Sequence, residues 1–168
     1  MSSVRLAVLT ISDGVASGER ADRSGLAVLE WMDAKRFRAA GYETVPDRTE
    51  RIAAVLLRWA DSGEVDVILT TGGTGFTARD VTPEATRAVI EREAPGLAEA
   101  LRAEGALATP YAWLSRGIAG IRGSTLIVNL PGSESGVRSG LATLDPLLPH
   151  AVQLLRGQST QSHELPHG

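Results

Sequence analysis

Gly72-Gly73-Thr74-Gly75 closes an apolar run containing Val65, Val67, Ile68 and Leu69, and Asp80 follows just ahead of the helix-start signal Thr82-Pro83. Glycine lets a backbone turn tightly and come close to a ligand. At a strand end such a loop can turn several N–H groups toward an anion, and phosphate suits it best. Asp80 adds a carboxylate able to hold Mg2+ beside that phosphate, because magnesium prefers oxygen ligands and keeps several waters. The run has neither the lysine of a P-loop nor the G-x-G-x-x-G of a dinucleotide fold. A phosphate there needs amides, the hydroxyls of Thr71 and Thr74, and basic groups from elsewhere, with Arg79 and Arg116 as candidates. Turn geometry alone is the competing reading of the glycines, and loop capping that of Asp80.

Two other strand ends are polar or glycine-rich: Ser12-Asp13-Gly14 and Asn129-Leu130-Pro131-Gly132-Ser133. In an open α/β sheet such ends form the ligand crevice. Asp47 is the natural companion of Asp80 for a metal, yet Asp47 and Glu50 also have capping-box spacing. Asp13 equally fits an ordinary Ser-Asp-Gly turn, and Ser115 either donates to a ligand or caps backbone. His150, His163 and His167 lack metal-ligand spacing, and no Ser-His-Asp set or nucleophile elbow is present. The residues therefore point to phosphoryl or nucleotidyl transfer by positioning and charge neutralisation, without a protein nucleophile.

The elements that must position these groups alternate between strand and helix. Leu6–Ile11, 65–71 and Thr125–Leu130 read as buried parallel strands, since they do not alternate in polarity. Helices are expected from Ser24 as cap, through Ile52, Val55, Leu56 and Trp59, from Thr82 as cap, over about 97–105, and around Val137–Leu144 and Leu147–Leu155. Residues 34–45 fit either two short strands about Gly41 or a continued helix, and 110–122 is a mixed segment. The expected fold is a single three-layer, doubly wound α/β domain over 1–156, with a mostly parallel sheet and a polar tail at 157–168. The chain has 168 residues and a net charge of −3, which argues against a general nucleic-acid binder. It has no cysteine, which excludes disulfides and thiolate metal sites. No apolar run approaches the ~20 residues of a membrane span. A cytoplasmic protein is the default.

The motifs also carry a resemblance. LTISDG at 9–14, DRSG at 22–25, PD at 46–47, TTGGTG at 70–75, RDVTPEA at 79–85, LSR at 114–116 and NLPGS at 129–133 occur in this order. Together they resemble the molybdopterin adenylyltransferase family, which includes bacterial Mog and MoaB proteins and the G domains of gephyrin and a plant relative. The resemblance covers Val4 to Leu155. It implies a doubly wound domain, usually trimeric and sometimes hexameric, that joins AMP from Mg-ATP to the terminal phosphate of molybdopterin and releases pyrophosphate. It implies Mg2+ and catalysis at Asp80 and Asp47, and nucleotide and pterin phosphates at Thr71, Gly72, Gly73, Thr74 and Gly75. Ser12 and Asp13 match the first substrate loop; Asn129, Pro131, Gly132 and Ser133 match the late one; Ser115 matches a serine on the pterin side. A molybdenum insertase is the implied partner. Relatives that bind pterin or act as scaffolds supply the alternative, and a pterin-independent Mg-dependent nucleotide hydrolase is a further one. Two positions depart from the family pattern: Arg48 stands where Glu is common after Pro-Asp, and Glu134 where proline is common.

Overall fold

The computed structural model describes residues 3–157, so the expected tail lies outside the described residues except for Gly157. In chain order the elements are β1 (Arg5–Ile11), α1 (Asp13–Ala16), α2 (Arg23–Ala34), β2 (Arg38–Val45), α3 (Thr49–Ala60), β3 (Val67–Thr71) and α4 (Thr82–Val89). There follow β4 (Arg92–Glu93), α5 (Pro95–Ala108), a 3-10 turn (Pro110–Leu114), β5 (Ala119–Arg122), β6 (Thr125–Leu130), α6 (Glu134–Leu144) and α7 (Leu148–Leu155).

The apolar runs become central strands because both of their faces are covered. Every residue of β3 and β6 is buried. Leu6, Val8, Val67, Leu69, Leu126 and Val128 pack on one face with Val28 and Met32 of α2, Leu141 of α6 and Val152 of α7. Ala7, Leu9, Ile11, Ile68 and Ile127 pack on the other with Ile52, Leu56 and Trp59 of α3 and Ala85 of α4. The sheet has six strands in the order β2-β1-β3-β6-β5-β4. Pairs β1–β2, β1–β3 and β3–β6 are parallel, whereas β5 runs antiparallel to β6 and to β4. The fold is the expected single-domain, doubly wound α/β sandwich with a mixed edge. Among the described residues no helix is long and apolar enough to cross a membrane.

Several local expectations needed correction, most of them where a distant partner decides. Residues 38–45 form one strand, not two, with a register shift that places Ala39 opposite Leu6 and Gly41 opposite Ala7. The resulting bulge at Ala40 disguises the strand. Ser24 does not cap α2; Asp22 does, accepting from Gly25 N at 2.9 Å. Thr82 lies inside α4, because its hydroxyl donates to the Gly72 carbonyl instead. The mixed segment 110–122 contains the 3-10 turn and the hairpin strand β5. At the opposite end of the sheet from the polar loops, buried Asp66 accepts from Arg5 N, Arg5 Nε and Arg156 Nε, tying the two chain ends together.

Candidate active site

Strand order changes direction between β1 and β3, so the loops leaving them diverge and open a crevice at the sheet's C-terminal edge. The 72–75 loop sits in that crevice. Gly72 and Gly73 have φ of 92° and 68°, a pair of left-handed residues that glycine adopts without steric cost. Space also requires glycine. A Cβ on Gly72 would lie 2.2 Å from the Ile11 carbonyl, and one on Gly73 would lie 2.3 Å from Thr82 Oγ1. The loop's carbonyls are claimed by the protein. Gly72 O accepts from the Thr82 hydroxyl at 2.9 Å and Gly73 O from Thr82 N at 3.1 Å. Thr74 O accepts from Arg116 N at 2.7 Å and Gly75 O from Arg116 Nε at 2.8 Å. The N–H groups of Gly73, Thr74 and Gly75 donate to no acceptor among the described residues. Carbonyls turned inward and amides left over are the arrangement of an anion-binding nest.

The predicted carboxylates gather beside this loop. Asp47 and Asp13 are tied reciprocally: Asp13 N donates to Asp47 Oδ2 at 2.9 Å, and Asp47 N donates to Asp13 Oδ1 at 3.0 Å. The capping-box reading of Asp47 is therefore wrong, and Arg48 holds the cap position of α3 without a side-chain bond. Asp47 Oδ1 would lie 3.1 Å from a Cβ on Gly73, and Asp80 Oδ2 would lie 2.9 Å from one on Gly75. Asp80 Oδ2 accepts from Thr77 N and the Thr77 hydroxyl at 2.9 and 2.8 Å, so the loop orients it. Burial pushes the Asp47 carboxyl up, and the charges of Asp13 and Asp80 push it further, against the hydrogen bond from Asp13 N and the attraction of Arg79. Asp13 is held low by the amide of Asp47 and by Arg79. A half-buried acid disfavoured by neighbouring acids is a natural seat for a cation. Among the described residues no group of three or more His, Asp or Glu gathers as a metal cluster, so an ion on Asp47 and Asp80 would share its shell with phosphate oxygens and water.

Two clefts meet at the loop. One, of about 490 Å³, runs between the loop and α5 and is lined by Gly73, Thr74, Gly75, Leu101, Leu114 and Ser115 among others. The second, of about 750 Å³, opens toward α2 and is lined by polar groups including Ser12, Arg20, Asp22, Arg23, Asp47 and Thr71. Gly73, Asp80 and Gly132 line both clefts. Two ligands seated one in each cleft would meet where the amides and the carboxylates are.

The chain is similar to known proteins in sequence and fold. A family described as "Probable molybdopterin binding domain" matches residues 7–150. The chain belongs to that family. It is 37% identical to a molybdopterin adenylyltransferase of Helicobacter pylori, covering 98% of this chain and 94% of that one. It is 43% identical to the molybdenum cofactor synthesis protein cinnamon of Drosophila melanogaster over 99% of this chain, but spans only 30% of that protein's length. The crystal structure of the molybdopterin biosynthesis enzyme MoaB from Thermus thermophilus aligns with a TM-score of 0.87 at 50% identity, covering 94% of this chain and 99% of that one.

Within this molybdopterin-binding-type domain the predicted residues divide by what they touch. Ser12 caps α1, accepting from Val15 N at 3.3 Å, and Ser133 caps α6, accepting from Gly136 N at 3.2 Å. Thr71 Oγ1 pairs with Ser24 Oγ at 3.2 Å beneath the loop. Asn129 is buried, and its amide is spent on the Thr70 and Thr86 hydroxyls and on Ile118 N, so it positions strands and contributes its outer edge to the α5 cleft. Pro131 lines that cleft with Ser115, whose Oγ accepts from Gly117 N. The arginines differ from expectation. Arg116 clamps the Gly75 and Asp80 carbonyls and pairs with Glu84. Arg79 forks onto Asp13. Both guanidiniums are taken by nearer acceptors. Glu134, the departure beside the late loop, is neutralised by Arg138, and Arg48 pairs with Glu50. The sequence reading missed a hydroxyl network in which Asp22 accepts from Thr10 and Tyr42. Its one sequence signal is the DRSG segment.

Proposed function

We propose that this protein is a molybdopterin adenylyltransferase. The carrying observation is the set of amides at Gly73, Thr74 and Gly75, unclaimed by the described protein and lying where two clefts meet beside two aspartates. The α5 cleft has apolar walls at Ala98, Leu101 and Leu114 and suits the flat pterin; the polar α2 cleft suits the ATP phosphates. An oxygen of the terminal molybdopterin phosphate attacks the α-phosphorus of ATP. The new P–O bond forms as the bond to the α,β-bridging oxygen breaks, and its electron pair leaves with pyrophosphate. The loop amides neutralise the non-bridging oxygens, flanked by Thr71 on the α2-cleft side and Thr74 on the α5-cleft side.

The donor set fits Mg2+. Asp47 and Asp80 are paired acids from different loops, held against glycines that leave room for an ion and its phosphate partners. Bound there, Mg2+ would neutralise phosphate charge and polarise the α-phosphorus. Asp13 and Thr77 hold the two carboxylates in place. A homotrimer follows from the same family reading, with the exposed Leu107 and Trp113, which lie outside the α5 cleft, available for subunit contact. A cytoplasmic setting and hand-over of adenylyl-molybdopterin to a molybdenum insertase follow from the same reading.

The test is incubation with ATP, Mg2+ and molybdopterin. Pyrophosphate release that requires the pterin supports the assignment. Tight pterin binding without pyrophosphate identifies a binding module instead. Pyrophosphate or phosphate release without pterin identifies a nucleotide hydrolase.

A further inference from the structure

The geometry points to Arg20 as the side chain that holds the β- and γ-phosphates of the nucleotide and then the departing pyrophosphate, with Arg23 beside it. Most arginines near the crevice are already committed. Arg79 is bound to Asp13, Arg116 to Glu84 and the loop carbonyls, and Arg138 to Glu134 and Glu30. Arg102 is spent on the Ser115 and Gly117 carbonyls. Arg20 and Arg23 line the α2 cleft, and neither forms an ion pair among the described residues.

Arg20 is nevertheless placed. Gly18, with φ of 80°, reverses the chain after α1, and Arg20 N donates to Gly14 O at 3.1 Å. The aliphatic stem then lies on Gly14, where a Cβ would meet Arg20 Nε, Cγ and Cδ at 3.2, 3.3 and 3.4 Å. The head reaches the end of β1, where Nη2 donates to Ser12 Oγ at 3.5 Å, too long to hold it firmly. A planar fork with donors to spare therefore stands at the rim of a polar cleft, and phosphate is the group such a fork grips best.

The acids of this cleft fix the direction of the chain of phosphates. Asp22 is occupied by the Thr10 hydroxyl, the Tyr42 hydroxyl and Gly25 N, and Glu134 by Arg138. Asp47 and Asp80 stand together at the Gly73 side, with neutral donors on Asp47 Oδ2 and Asp80 Oδ2. The Gly73 end of the cleft thus carries two carboxylates, whereas the α1–α2 end carries the two guanidiniums of Arg20 and Arg23 beside the single carboxylate of Asp22. A triphosphate lying along it has its α-phosphorus at the aspartates and its tail at Arg20. When the bridging oxygen takes the electron pair, the added charge develops on the pyrophosphate, within reach of the guanidinium.

This rests on the adenylyltransferase reading and is separated from it by a binding measurement. Full-length wild type, Arg20→Ala and Arg20→Lys are titrated calorimetrically with Mg-pyrophosphate and with AMP, and AMP transfer is assayed in parallel. Arg20→Ala weakens pyrophosphate about tenfold, the loss expected for a charged hydrogen bond. It leaves AMP affinity and melting temperature unchanged, and Arg20→Lys recovers part of the loss. The KM for ATP rises correspondingly. Equal pyrophosphate affinity in wild type and Arg20→Ala, equal weakening of AMP, or no pyrophosphate binding by wild type overturns the inference. Arg20-dependent pyrophosphate binding without AMP transfer supports the subsite and sinks the adenylyltransferase. AMP transfer with Arg20-independent pyrophosphate binding does the reverse.

Discussion

Replacing Gly73 by alanine tests the loop argument with a built-in control. Gly63 has φ of 75° and nothing within 4 Å of an added Cβ, so Gly63→Ala carries only the cost of a left-handed alanine. That cost is about 1–2 kcal/mol, reduced by about 0.5 kcal/mol of unfolded-chain entropy, so about 1 kcal/mol net. Gly73 has φ of 68° and carries the same conformational cost, but its new Cβ lies 2.3 Å from Thr82 Oγ1 and 3.1 Å from Asp47 Oδ1. Thr82 is fully buried, so its hydroxyl cannot retreat to water. Displacing it breaks its bond to Gly72 O, and a buried polar group left unpaired costs about 1–3 kcal/mol. The sum for Gly73→Ala is about 3 kcal/mol. At roughly 3 °C per kcal/mol for a chain of this size, Gly63→Ala should melt about 3 °C lower and Gly73→Ala about 9 °C lower. Both are read by calorimetry and by urea titration. AMP transfer should fall at least about tenfold in Gly73→Ala, because Asp47 shifts and a misplacement near 1 Å is costly to rate, and should be unchanged in Gly63→Ala. Equal melting points or equal activities in the two variants refute the packing described around Gly73.

The carboxylates give contrasting expectations. Asp80→Asn keeps an acceptor for Thr77 and should leave the melting temperature near wild type while lowering turnover about 100-fold, the scale for losing one charge-stabilising group; unchanged turnover removes Asp80 from the site. Asp47 has its carboxyl raised in the folded state, so its ionisation costs stability as pH rises past the ordinary carboxylate range. Asp47→Asn should therefore lose activity yet melt higher than wild type at pH 7, and a lower melting point contradicts the electrostatic picture. Burial pushes Asp66 up, but the guanidiniums of Arg5 and Arg156 overcome it and hold the carboxyl at about 2. This depressed value contributes stability, on the order of 2 kcal/mol, above about pH 5 that disappears as pH falls toward 2. Acid titration of stability should show that slope in wild type, and Asp66→Asn should flatten it.

The loop of the candidate site was legible because its strongest signals are local. Left-handed backbone at 72–73 demands glycine, and glycine is visible in a sequence. The strands β1, β3 and β6 were legible because covering both faces makes them continuously apolar. β2 was not. It lies at the sheet's edge with mostly exposed or half-buried residues, bulges at Ala40, and admits Gly41 where a Cβ would sit 2.9 Å from Trp59. Two of the errors share one cause. Asp47 with Glu50, and Thr82 with Pro83, have the spacing of helix caps, but their side chains answer to Asp13 and Gly72, distant in sequence and adjacent only after folding. Arg116 and Arg79 carry the right charge for phosphate. They are claimed by carbonyls and a carboxylate that spacing cannot reveal, while Arg20 is distinguished only by having no such claimant among the described residues.

The most direct measurement is a crystal structure with molybdopterin, Mg2+ and a non-hydrolysable ATP analogue. Phosphate oxygens should lie about 3 Å from the N–H groups of Gly73, Thr74 and Gly75, with a divalent ion on Asp47 and Asp80 and the pterin ring in the α5 cleft beside Ser115. Nucleotide seated away from the loop, or those amides bonded to carbonyls of a neighbouring copy, contradicts this arrangement.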